Sequence, residues 1–115
     1  MNFDDLIAEI RSISADTAVQ GVADQLAAWK ESSDTADELA VAMERYIGHV
    51  WIASTQDHER LYALWSAFRR NSIEAIHGMT MNERLYSFGL LDRYHALRSG
   101  GDRQAFYTKL HAGEV

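Results

Sequence analysis

Cysteine and proline are both missing from this chain of 115 residues. Without cysteine there is no disulfide, no thiolate metal site and no cysteine nucleophile, a composition suited to a reducing cytosol. Without proline, no helix contains a residue that must kink or end it. Long apolar runs are missing too. The longest, YIGHVWIA at 46–53, is far short of a membrane span and contains a histidine. The opening decapeptide, MNFDDLIAEI, has two acids where a signal peptide needs positive charge. The expected location is cytoplasmic, with no membrane partner. Strand-like alternation is absent, as are the P-loop, the dinucleotide glycine cluster and the G-x-S-x-G elbow. These absences nominate no catalytic residue and no cofactor, and the chain is expected not to be an enzyme.

What is present is an ordinary globular balance of 47% apolar and 24% charged residues. A chain of this length buries about two-thirds of its unfolded surface, enough for one core, so 1–115 is expected to be a single helical domain. Helical spacing recurs from end to end, which predicts an all-α fold, a compact bundle of five to six helices. The first helix, about 3–13, carries the stripe Phe3, Leu6, Ile7, Ile10 and Ile13. The second, about 16–31, is capped by Asp16 and presents Val19, Val22, Ala23, Leu26 and Trp29. The third opens with the capping box Thr35–Glu38, presents Leu39, Met43, Tyr46 and Val50, and ends near Ser54. The fourth, about 57–77, presents Leu61, Leu64, Trp65, Phe68, Ala75 and Ile76 and stops at Gly78. The sixth, about 102–111, is capped by Asp102 and packs Ala105, Phe106 and Leu110.

The fifth helix, about 80–98, is unusual. It opens with a capping box, Thr80–Glu83, but its apolar residues fall on two sides. Leu85, Phe88, Leu91 and His95 share one side; Tyr86, Leu90, Tyr94 and Leu97 share the other. A helix apolar around most of its circumference is buried between neighbours, so this one is expected to be central, with Gly89 admitting a close helix. A partner covering the second side is the alternative. The segment TMNERLYSFGLLDRYHA, followed by Asp102–Arg103 and a short last helix, resembles a segment of small bacterial helical proteins of uncharacterised function. Their shared pattern is N-E-R-L, an aromatic, then G-L-L-D and another aromatic. The resemblance covers about 80–110. It implies a bacterial source and a paired fifth and sixth helix, and it carries over no catalytic residue.

Charge divides the chain. Residues 1–57 hold three basic and eleven acidic side chains, net −8, whereas 58–115 hold eight basic and six acidic, net +2. An acidic half does not grip a phosphate backbone. The arginines at 60, 69, 70, 84, 93, 98 and 103 are interleaved with acids, so no nucleic-acid partner is expected. The most tempting chemical constellation pairs Glu74 and His77 with Asp92 and His95, an acid and a histidine three apart on each of two helices. The wheel turns Glu74 and His77 away from Trp65 and Phe68, so no metal centre is expected there. Asp92 and His95 fall beside the Leu85 stripe and are expected to be satisfied by neighbouring polar groups. His49 is expected to satisfy a backbone group in the same way, and His58 and His111 to be solvated.

Two functions remain. The leading one is a non-enzymatic acidic protein that acts through a protein interface, such as an immunity-like inhibitor of a basic partner. Asp34, Asp37, Glu38 and Glu44 would steer that partner, with Trp51 and Ile52 as anchors. Pairing with a second copy is the other way to cover an apolar face. The alternative function is a small-molecule or regulatory module with a pocket lined by Trp65, Tyr86, Tyr94 and His95.

Overall fold

The computed structural model of the chain describes residues 1–97 and 100–112. All regular structure among them is helical: α1 Phe3–Arg11, α2 Thr17–Trp29, α3 Ala36–His49, α4 Thr55–Phe68, α5 Met81–Ser87, α6 Leu91–His95 and α7 Gly100–Lys109. A π-helical turn, Arg69–Ile73, extends α4, and a 3-10 turn spans Ile76–Gly78. The all-α expectation holds, with seven helices rather than five or six.

Helix starts follow local side-chain chemistry. Asn2, Asp16, Thr35, Ser54 and Thr80 each accept a backbone N–H of the helix they open. The Thr35–Glu38 and Thr80–Glu83 boxes are closed reciprocally, as is a third between Asn2 and Asp5. Each cap supplies about 1 kcal/mol, enough to set a boundary but too little to hold the fold.

The core is built by the predicted stripes. Phe3, Leu6 and Ile10 of α1 meet Val22, Leu26 and Trp29 of α2 and Leu61, Trp65 and Phe68 of α4, all buried. Leu39, Met43 and Ile47 of α3 join the same cluster. At its centre Phe3 lies 5.3 Å from Trp29 and 5.5 Å from Phe68, ring centre to ring centre. Phe88 closes the group, 5.6 Å from Trp29 and 5.5 Å from Phe68. The molecule is elongated, 46 × 25 × 21 Å.

The predicted fifth helix does not exist as one element. It breaks at 88–90, where Gly89 adopts φ +68°. Leu90 N–H donates to Leu85 O (2.8 Å) and Gly89 N–H to Tyr86 O (3.1 Å), the two bonds of a Schellman ending. Leu85 and Leu90, the residues such an ending brings together, are both fully buried. The two apolar sides are thus two short helices in different phases. Leu85, Phe88 and Leu90 occupy the core, while Tyr86 is 60% exposed. Burial at the centre belongs to the break rather than to a helix of 80–98. What approaches Gly89 is not a helix backbone but the Asp4 carboxylate, 2.9 Å from where a Cβ would stand. The predicted end near Arg98 lies outside the described residues.

Other boundaries shift for identifiable reasons. α3 stops at His49, five residues early. Its carbonyl at Ile47 takes a hydrogen bond from His58 Nε2 (3.2 Å), so a side chain of α4 satisfies the helix end. His58 is half-buried there, not solvated. The fourth predicted helix keeps its start within two residues, but past Phe68 it widens, with Glu74 N–H donating to Arg69 O at 2.8 Å. α7 begins at Gly100, which puts Asp102 in its first turn rather than at its cap. Ala105 is exposed, and α7 packs through Phe106 and Leu110.

Candidate interaction surface

The acidic candidates gather at one end of α3. Asp34, Asp37 and Glu38 are all exposed. Two lie in the first helical turn, where the positive end of the helix dipole favours them. One turn on, Val41 is 60% exposed on the face opposite the buried stripe. The other end of α3 carries Trp51. Val50 is extended (φ −75°, ψ 141°), and successive residues of an extended chain point to opposite sides. Trp51 therefore points out, 79% exposed, and Ile52 points in, 7% exposed. Ile52 belongs to the core and is withdrawn from the expected contact surface.

Glu44 is withdrawn as well. Its carboxylate accepts from Trp65 Nε1 (2.9 Å) and Tyr62 Oη (3.2 Å) and pairs with Arg69. This acid ties α3 to α4. Two further ion pairs join acids of the first half to arginines of the second, Glu9 to Arg60 and Glu31 to Arg93. The charge asymmetry of the sequence is thus partly neutralised in space. Asp34 and Glu38 make no ion pair with Lys or Arg among the described residues, and Asp37 places its carboxylate 3.5 Å from His111 Nε2.

The four residues nominated for a pocket do not meet. Trp65 is fully buried in the core. Tyr94 turns toward α7, with its hydroxyl 3.2 Å from that of Tyr107, its ring edge-on to Phe106 and Arg103 over its face. The Tyr107 hydroxyl holds the Tyr94 phenol above its ordinary pKa. Only Tyr86 and His95 share a groove, about 510 Å³, with Met79 and Leu91 as its apolar part. Asp92 and His95 are both exposed rather than held beside Leu85, because the break at Gly89 resets the helical phase. Glu74 and His77 are exposed also, and the described residues contain no group of three metal-ligating side chains. No helix among them is long and apolar enough to cross a membrane.

Three basic side chains among the described residues are buried, which sequence reasoning did not anticipate. Lys109 sends its ammonium to the carbonyls of Trp29 (2.7 Å), Ser32 (2.6 Å) and Asp34 (3.0 Å), and lies 4.0 Å from the centre of the Trp29 ring. Burial outweighs the attraction of Asp34 and Glu38 and pushes its pKa down to about 8. Arg84 donates to Met79 O (3.2 Å) and Leu110 O (2.9 Å). His111, expected in solvent, is buried at φ +59° and accepts from Asp37 N–H at 3.4 Å. Ala112 N–H to Tyr107 O (2.8 Å) and His111 N–H to Thr108 O (3.2 Å) make a second Schellman ending around it. The one available signal was the placement of Lys109 and His111 in the last turn of a helix, where cations and αL residues are favoured.

Compared with known proteins, the chain matches no family model, and no curated protein or solved structure matches it significantly. Function rests on the geometry of the chain itself.

Proposed function

We propose that this chain is a non-enzymatic binding protein that neutralises a basic partner protein through the outer face of α3 and Trp51 just beyond its end. The observation that carries this reading is the 79% exposure of Trp51. A tryptophan left in water forgoes more apolar burial than any other side chain, and buried aromatics dominate the energetics of interfaces. Val41 adds exposed apolar surface midway along α3, and Asp34, Asp37 and Glu38 add negative charge at its start. A helix of 14 residues spans about 21 Å, which suits one partner's share of a standard interface. Steering by the acids and anchoring by Trp51 is the division of labour expected of an inhibitor of a cationic protein, such as an immunity-like antagonist of a nuclease.

The test is retention of partner proteins on immobilised wild-type chain, Trp51→Ala and Asp34→Asn/Asp37→Asn. A basic protein held by wild type should be retained at least about tenfold less by Trp51→Ala, and less tightly as salt rises. Equal retention by all three would defeat the reading. A doubled mass in solution that Trp51→Ala returns to monomer would also defeat it, because the face would then belong to a second copy. The groove of Tyr86 and His95 supports a small-molecule reading less well, since Trp65 and Tyr94, the other residues nominated for it, lie elsewhere.

A further inference from the structure

A second surface feature lies between α2 and α3. It is a cleft of about 550 Å³ lined by Gln25 of α2 and by Ala42, Arg45, Tyr46, His49 and Val50 of α3 and its cap. Its shape follows from helical spacing. Ala42, Tyr46 and Val50 recur every four residues and form an apolar rail; Arg45 and His49, also four apart, form a polar rail beside it. Gly21 of α2 makes room for the Tyr46 ring: a Cβ there would stand 2.6 Å from the tyrosine oxygen. Gln25 follows Gly21 by one turn, so its amide flanks the same opening.

Arg45 is uncommitted, unlike the other two basic side chains of residues 1–57. Arg11 is paired with Asp24 and Lys30 with Asp4. The Arg45 guanidinium, the Tyr46 hydroxyl and the Gln25 amide have no hydrogen-bond or ion-pair partner among the described residues. His49 donates from Nδ1 to Arg45 O (2.7 Å), which orients its ring at the edge of the cleft. One unpaired guanidinium, a tyrosine hydroxyl, a glutamine amide and an apolar rail describe a site for an anion with an apolar body. A singly charged anion matches the one unpaired guanidinium, whereas a phosphate dianion would leave a charge uncompensated. The planar fork of arginine matches a carboxylate with two parallel hydrogen bonds. The volume falls within the range of small-ligand sites.

We propose that this cleft binds a small organic monocarboxylate, Arg45 taking the carboxylate and Ala42, Tyr46 and Val50 taking the apolar body. The partner face is not required: Trp51→Ala leaves carboxylate binding unchanged, so failure of either reading is distinguishable from failure of the other. The experiment is a titration of the isotopically labelled chain with benzoate, methyl benzoate and inorganic phosphate, followed by amide chemical shifts. Benzoate should give saturable shifts at 25 and 42–50, at about millimolar concentration for so small a probe. Methyl benzoate and phosphate should bind at least about tenfold more weakly. Arg45→Gln should cost benzoate about tenfold while leaving far-ultraviolet dichroism and thermal unfolding unchanged, since Arg45 is exposed. Gly21→Ala, which displaces the Tyr46 ring, should weaken benzoate without abolishing the fold. Non-saturable or dispersed shifts, phosphate binding as tightly as benzoate, or an unaffected Arg45→Gln would each overturn the assignment.

Discussion

In α1–α4 the buried side chains are apolar and the charged ones cross between helices on the outside. In α5–α7 that order is partly reversed. Arg84, Lys109 and His111 are buried, and each meets backbone groups at a helix end or loop: Leu110 O, the Trp29–Asp34 carbonyls and Asp37 N–H. For α5 and α6 the difference is one of length, whereas α7, with ten residues, buries Lys109 and His111 at its C-terminal end. Helices of 9 to 14 residues have enough turns to present a continuous stripe. α5 and α6, with seven and five residues, do not. α5 is held instead by Arg84, which donates to the carbonyls of Met79 and Leu110, the latter at the end of α7. Directional polar contacts fix position well, but they depend on both partners being in place.

This contrast can be broken in order of severity. Phe88→Ala removes a fully buried aromatic ring by which the second region enters the core of the first. It should cost about 3–5 kcal/mol in urea unfolding. A loss below about 1 kcal/mol would mean that the two regions do not share a core.

Lys109→Met keeps the stem and removes the ammonium, leaving the Ser32 and Asp34 carbonyls without this donor, while Trp29 O keeps Ser32 N–H and Oγ. The expected loss is about 2–3 kcal/mol near neutral pH. Its pH dependence has a definite sign. The folded-state pKa is pushed to about 8 by burial, below the ordinary 10.5. Between those values the unfolded chain binds a proton that the folded chain has released, so stability rises with pH across the window and is flat below it. A pH series of unfolding should show that slope in the wild type and not in Lys109→Met. The same slope in both would assign it to another group.

Gly89→Ala should be milder, about 1–2 kcal/mol, from the cost of a left-handed backbone with a side chain. It also crowds the Asp4 carboxylate, which pairs with Lys30 at 2.6 Å. Melting of Gly89→Ala against Gly78→Ala, where nothing lies within 4 Å of the added Cβ and φ is not positive, sharpens the point. Equal effects would remove any special role for the break.

The legible part of the fold was the part with period and caps. Of the predicted stripes, Phe3, Leu26, Met43 and Leu61 proved buried, whereas Ile7, Ile13, Tyr46, Val50 and Leu64 are half-buried and Ala75, past the widened turn after α4, is exposed; Asp16, Thr35 and Thr80 all cap where expected. The misreading at 80–98 has a physical cause. A Schellman ending keeps apolar residues close on both sides of its glycine, so two short helices imitate one two-sided helix. Gly89 followed by Leu90 was the available clue. Of the surface candidates, Trp51 was identifiable as off-stripe, while its neighbour Ile52 was not separable from it. Their opposite fates depend on one extended residue, Val50, and on His58 ending α3 from across a loop.

Local chemistry alone determined that this chain is helical, where most helices begin and which faces are apolar, because caps and the 3.6-residue period act within a few residues of each other. Tertiary contact decided which charges are spent inside the molecule and which are left outside. Glu44, Glu31 and Glu9 are consumed by arginines that lie 25 to 62 positions away, and Lys109 is drawn under a loop 75 positions distant. Charge acts through space rather than along the chain, so only the folded chain shows that Asp34, Asp37 and Trp51 face water while Glu44 and Ile52 do not.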